Sequence, residues 1–298
     1  KWRRGMIVDE CFSSYMTFRQ EYPTCPAHAL TGKAKTVFDA ESLADMRSYA
    51  LNEGIEPERF NYNHDPDDLD VSNKFSPSPW GDLIVWERKK NRRQYIVSGD
   101  PGMGIPNTGD PSAMIVLDVT DGDLREVASF NAIITADKFA EMCYWLGHIY
   151  GGPLIGIENN ERGGYAANLW LTANLKYPRV YRHFETFDRK SQVKPGFVTS
   201  AKNKASLVSA LQQAIRDHEI LFRNPEIIDQ LESYIQKEDG TLGGPPGTND
   251  DLVSAALIAL NLASKIHQFA PITLPPPKGS FEYYARKHAR LTGNKFFT

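Results

Sequence analysis

Tyr95-Ile96-Val97-Ser98-Gly99-Asp100-Pro101-Gly102 is the stretch on which the reading of this chain turns. A β-branched apolar run ends on a carboxylate, and Pro-Gly then stops the strand, so the segment reads as a buried strand whose last side chain is acidic. Upstream, Leu83 to Trp86 is a second apolar run, and the polar Glu87 to Gln94 between the two predicts a hairpin. Downstream, Ala113 to Val119 and Glu126 to Ile134 are two more such runs, parted by Asp121-Gly122-Asp123. With Tyr95 to Asp100 they predict three sequential strands in an antiparallel meander.

Beyond the meander the pattern changes. Phe139, Met142, Cys143, Leu146 and Tyr150 recur at helical spacing after Thr135, a candidate cap, and Gly151 closes the helix. A short strand follows at Pro153 to Ile157, then a helix around Tyr165 to Leu175 and a strand near Val180 to Phe184. Helices are predicted at Lys204 to Asp217 and at Glu226 to Gln236, the latter capped by Asn224 with Pro225 in its first turn. Asp251 to His267 is apolar nearly all round, which predicts a helix buried in the core. The fold class expected is α/β: a mixed sheet of three antiparallel strands followed by α/β units, flanked by helices.

Three acids stand out within this layout. Asp100 and Glu158 each end an apolar strand, and Asp251 opens the buried helix. Adjacent strands lie about 5 Å apart, so if the two strands are neighbours their terminal carboxylates face each other. Like charges that close repel unless a cation lies between them, and hard divalent ions take oxygen ligands. Two such ions can activate water and stabilise a leaving phosphate oxygen.

Composition excludes several other classes. The chain has 298 residues, 41% apolar and 24% charged, which is ample for a core and unlike a disordered or repetitive protein. No apolar run reaches the ~18 residues of a spanning helix, and the N-terminal apolar stretch is too short for a signal peptide, so a cytosolic address is the default. Cys11, Cys25 and Cys143 form no C-x-x-C pair and read as reduced thiols. Gly99 to Gly104 has the glycine spacing of a phosphate loop, but Ile105 and Pro106 stand where that motif needs Lys and Ser or Thr. No nucleophile elbow and no H-E-x-x-H helix occurs either.

Net charge is −3, so any nucleic-acid contact must be local. Arg189, Lys190, Lys194, Lys202 and Lys204 form such a cluster between Arg182 and Arg223, readable as a DNA-binding edge or as an ordinary solvated face.

These pieces, in order, resemble the C-terminal nuclease domain of the large subunit of tailed-phage terminases, with part of the preceding linker. The resemblance rests on Phe18-Arg19-Gln20-Glu21-Tyr22-Pro23 with Thr31-Gly32 and Phe38, on Tyr95 to Gly102, and on Gly156-Ile157-Glu158-Asn159-Asn160. It continues through Gly196-Phe197-Val198-Thr199 with Lys204 and Gly247-Thr248-Asn249-Asp250-Asp251-Leu252-Val253-Ser254-Ala255.

The resemblance implies an RNase H-like (RuvC-like) fold with the first strand beside the fourth. It also implies a two-metal endonuclease using Mg²⁺ or Mn²⁺ to cut concatemeric double-stranded viral DNA during genome packaging. Asp100 would bridge both ions, Glu158 would hold one and Asp251 the other, with Asp250 an alternative to Asp251 and Asp110 an accessory ligand or a turn residue. Ser254 stands where related nucleases carry a further acid.

The partners implied are double-stranded DNA, the portal protein and the small terminase subunit. The implied location is the cytoplasm of the infected host cell, transiently at the procapsid portal. The chain is expected to be a fragment, monomeric by itself and pentameric in the motor, since no ATPase motif occurs in it. Its expected divisions are 1–92, a linker and remnant of the ATPase region with an Asn/Asp/Pro-rich connector; 93–270, the nuclease domain; and 271–298, a basic Pro-rich tail that docks on a packaging component. Two other readings stay open: a RuvC-like Holliday-junction resolvase, and a non-catalytic DNA- or portal-docking module.

Overall fold

Alternation along the strands sorts their side chains onto two faces of one sheet, and helices cover both. The computed structural model describes residues 35–268 other than 66–67, 69, 106–109, 161 and 188–189, without the side chains at 35, 184–187 and 190–192. It also describes Tyr22, Leu274, Pro276, Ser280 and Tyr283. The expected connection at Phe18 to Thr31, the C-terminal tail, Cys11, Cys25 and Arg189 therefore lie wholly or mostly outside the described residues.

The strands of the main sheet are β2 (Glu58–Tyr62), β3 (Phe75–Pro77), β4 (Leu83–Val85), β5 (Tyr95–Asp100), β6 (Ser112–Asp118), β7 (Leu124–Ala132) and β8 (Leu154–Ile157), following a two-residue β1 (Lys35–Thr36). Their order is β3-β2-β4-β7-β6-β5-β8, and β11 (Ile220–Leu221) also pairs with β7. The meander of β5, β6 and β7 is as expected, and β5 runs parallel to β8, with Gly99 opposite Ile157.

One face carries Ile96, Ile115 and Leu154 under α1 (Ala40–Asn52), α4 (Ala201–Arg216), α5 (Pro225–Ser233) and α6 (Asp251–Lys265). The other carries Val97, Val116, Ile155 and Ile157 under α2 (Ala136–Ile149) and α3 (Arg162–Leu169). The periodic residues Phe139, Met142, Cys143, Leu146 and Tyr150 are buried in this second layer, Cys143 as a free thiol. Helix α6 is enclosed as its composition requires, with Leu252, Val253 and Ala255 to Ala259 all buried.

Several local expectations are corrected. The predicted hairpin of Leu83 to Trp86 with Tyr95 to Val97 does not form: β4 pairs with β2 and β7 instead. The intervening Glu87 is drawn away to Arg223 at 2.8 Å, and its carbonyl accepts from the Tyr150 hydroxyl. Thr135 occupies the N-cap position of α2 without capping it, because its hydroxyl is bonded to Asp137. The α-helix predicted to Leu175 ends at Leu169 and continues as a π turn over Trp170–Asn174. Val180 makes only a bridge to Ile155, and the strand beyond it, β9 (Arg182–Phe187), pairs with β10 (Lys190–Pro195) in a separate hairpin. Helix α5 stops at Ser233, and Ile235–Gln236 becomes β12, paired with β1 and with β13 (Leu242–Gly243).

Parts of the Asn/Asp/Pro-rich segment at 61–79 belong to the sheet: Asn61 and Tyr62 end β2, and Phe75–Pro77 is β3, paired with it. Phe38, Leu43 and Met46, from and just ahead of α1, belong to the same core as α6.

Candidate active site

Sheet register builds the site. Because Gly99 pairs with Ile157, Asp100 at the end of β5 stands level with Glu158 just past β8, and the Glu158 amide donates to the Gly99 carbonyl at 2.8 Å. Counting by twos from Ile96 and Leu154 puts both carboxylates on the α6 side of the sheet. There α6 begins with Asp251, and Ser254, three residues on and so on the same helix face, places its hydroxyl on Asp100.

Electrostatics show how closely the acids are set. Asp100 is held well above the usual carboxylate range by burial first, then by the neighbouring Glu158, with which it shares a hydrogen bond, and by Asp251; the Ser254 hydroxyl pulls the other way. Asp251 is pushed up to about 7 by burial first, then by the charges of Asp110 and Asp250, with Glu158 contributing less. Its buried Oδ2 has no hydrogen-bond partner among the described residues. Asp250 is differently engaged: its Oδ2 accepts from the Gly244 amide at 3.1 Å, bracing the end of β13.

Among the described residues, no three His, Cys, Asp or Glu side chains stand grouped tightly enough to enclose a metal ion as placed. The donor set nonetheless fits a hard divalent cation: carboxylate oxygens only, mutual repulsion to relieve, and an orphaned buried oxygen on Asp251.

No family model and no curated protein sequence matches the chain. Solved structures do. The large terminase nuclease from thermophilic phage G20c with bound magnesium aligns with a TM-score of 0.50 at 16% identity, covering 76% of this chain and 96% of that one. The fold matches that of a large terminase nuclease. The same G20c nuclease with bound cobalt also aligns at a TM-score of 0.50, at 18% identity over 76% of this chain and 96% of that one. The P22 large terminase nuclease domain aligns at 0.42 and 15% identity, over 62% of this chain and 87% of that one.

Within this terminase-nuclease fold the site has supports that the sequence reading did not single out. Asn160 Nδ2 donates to Glu158 Oε1 at 3.2 Å and to the Thr199 carbonyl at 2.6 Å, and the Thr199 amide returns a bond to Asn160 Oδ1. Buried Asn168 on α3 donates to the carbonyls of Ile157, Glu158 and Gly164. Gly163 and Gly164 let α3 approach both strand ends: a Cβ at 164 would lie 2.4 Å from the Glu158 carbonyl oxygen, and one at 163 would lie 2.6 Å from that of Gly102. The paired glycines five and six residues after an acid that ends a strand were the available signal.

The basic cluster divides. Lys194 and Lys202 are exposed, Lys204 is half-buried in the cleft beside Glu158, the side chain of Lys190 is outside the described set, and so is Arg189. No described helix is long and apolar enough to cross a membrane.

Proposed function

We propose that this chain is a two-metal endonuclease that cuts double-stranded DNA during viral genome packaging. The observation that carries the reading is that Asp100, Glu158 and Asp251, at two strand ends and a helix start, stand within electrostatic reach of one another on a terminase-nuclease fold. The magnesium of the G20c nuclease structure supports the same class of cofactor here, Mg²⁺ or Mn²⁺. Asp100, between the other two, would touch both ions, with Glu158 on one and Asp251 on the other; Asp110, whose charge reaches Asp251, is an accessory. Asp251 is preferred to Asp250 because its oxygen is unsatisfied while Asp250 is committed to Gly244.

When bound, the ions supply a nucleophilic hydroxide at neutral pH and stabilise the leaving oxygen. The protein's own residues hold the carboxylates in place: Ser254 orients Asp100, and Asn160 fixes Glu158. Arg189, Lys190, Lys194 and Lys202 track the duplex backbone by charge. The portal protein and small terminase subunit are the packaging partners of this reading, and its setting is the infected cell.

Plasmid nicking and linearisation in Mg²⁺, Mn²⁺ and EDTA tests it. Cleavage should require metal and fall at least a hundredfold in folded Asp100→Ala and Asp251→Ala proteins. Metal-independent cleavage, or full activity in both variants, would sink the proposal. Preference for four-way junctions over linear duplex would favour the resolvase reading instead.

A further inference from the structure

A cleft of about 550 Å³ adjoins the site at Glu158. Glu158, Ser254 and Leu257 line it together with Asn160, Thr199, the first residues of α4 and the Asp239 to Leu242 turn. Lys204 on α4 is its one basic lining residue among those described. The Lys204 ammonium lies 5.9 Å from the centroid of the Tyr234 ring, and that ring packs at 5.7 Å on Phe38, so the aromatic face under the ammonium is itself held from behind.

Three facts about Lys204 do not fit a structural role. Among the described residues its ammonium has neither an ion-pair nor a hydrogen-bond partner. It lies near the start of a helix whose first turn has no acid, where the helix dipole disfavours a cation. Asp239, the acid that lines the cleft besides Glu158, is turned back onto its own loop, accepting from the Thr241 amide at 2.9 Å and from the Thr241 hydroxyl at 2.6 Å. A half-buried cation held over an aromatic ring, without an ion pair and in the same cleft as Glu158 of the site, is available to an anion.

We infer that Lys204 grips a phosphate of the strand being cut, next to the phosphate held at the carboxylates, so that the cleft seats a single strand. This deepens the nuclease reading and rests on it. It separates Lys204 from Lys194 and Lys202, which are exposed and can track either strand. A cation fixed beside the reacting phosphate stabilises charge developing in the transition state, so its loss lowers turnover, whereas loss of an outer lysine weakens binding.

Two measurements test the inference, one of them independent of catalysis. In the first, lysine acetylation is quantified by mass spectrometry with and without a six-nucleotide, 5′-phosphorylated single strand in Ca²⁺. Lys204 should be protected at least fivefold, while exposed Lys176, beside Tyr177 in the core of the opposite sheet face, should be unchanged. In the second, Mn²⁺-dependent cleavage is compared in wild type, Lys204→Ala, Lys204→Arg and Lys202→Ala proteins of matched melting temperature. Lys204→Ala should lose at least tenfold in kcat with KM within twofold and Mn²⁺ affinity unchanged, and Lys204→Arg should recover most of the loss. Lys202→Ala should raise KM. Unprotected Lys204, or a Lys204→Ala variant that changes only KM, would overturn the inference. A wild type that neither binds Mn²⁺ nor cleaves would instead overturn the nuclease reading, leaving Lys204 to be judged by its protection.

Discussion

Burial first, and then repulsion from Asp110 and Asp250, makes the charged form of Asp251 costly in the folded chain. Its folded-state pKa of about 7 exceeds the ordinary carboxylate value, so the folded chain binds the extra proton more tightly than the unfolded chain. The contribution of this group is therefore most favourable below about pH 4, falls as pH rises from there to about 7, and is wholly lost above. In EDTA at pH 8, Asp251→Asn should melt above wild type by roughly 2–4 °C, or about 1 kcal/mol after discounting for partial exposure. That advantage should shrink steadily on titration toward pH 4. At pH 8, Mn²⁺ should raise the melting temperature of wild type more than that of the variant. Calorimetry across pH, with and without Mn²⁺, checks both; a variant less stable than wild type at pH 8 in EDTA would contradict the repulsion argument.

Helix α3 shows how an element, rather than a ligand, sets the site. Replacing a helix-interior Gly by Ala normally stabilises by about 0.5–1 kcal/mol. At Gly164 the sign should reverse, because the new methyl would lie 2.4 Å from the Glu158 carbonyl oxygen and push the strand end away from α3. Gly164→Ala should therefore lower the melting temperature and reduce cleavage more than tenfold; thermal melts and nicking assays read the two effects separately. Elements with a strong local period were legible beforehand: α2 by its apolar stripe, α6 by its all-round apolarity, and β5 to β7 by β-branched runs broken at turns. Pairing that depends on distant chain was not legible. Strand β4 had a nearby candidate partner in β5 but joins β7, and the pairing of Val85 with Ala128 spans a stretch of chain, residues 86–127, that no local pattern encodes.

The whole molecule binds its two halves through charge as well as apolar packing. Arg223, its side chain only 2% exposed, bonds Glu53 at 2.6 Å and Glu87 at 2.8 Å. Buried Glu126 accepts from the Arg223 and Asn224 amides. Glu53 follows α1 and Glu87 follows β4, so residues ahead of position 92 complete a buried ion cluster with residues far beyond it. Removing one partner from such a cluster costs about 3–5 kcal/mol, so Arg223→Ala should lose that much stability in urea titration. We propose further that a chain beginning at residue 93 will not fold alone, since it forfeits β4, the α1 core residues and both acids; a cooperative melt from that truncation would favour the sequence-based boundary instead. The connector composition at 61–79 suggested a break because polar, Pro-containing segments bury little surface, yet such a segment can also be a loop between paired strands.

The sequence by itself determined the class of fold, the meander, the buried helices and the three acids, because burial, alternation and strand-ending carboxylates are written in local order. Only the tertiary structure decided that these acids meet. Their meeting depends on the parallel register of β5 with β8 and on where α6 begins over the sheet. The hydrogen bonds by which Asn160 and Asn168 support the site were likewise not legible, since each acts across a contact between elements whose docking is set by how the whole core packs.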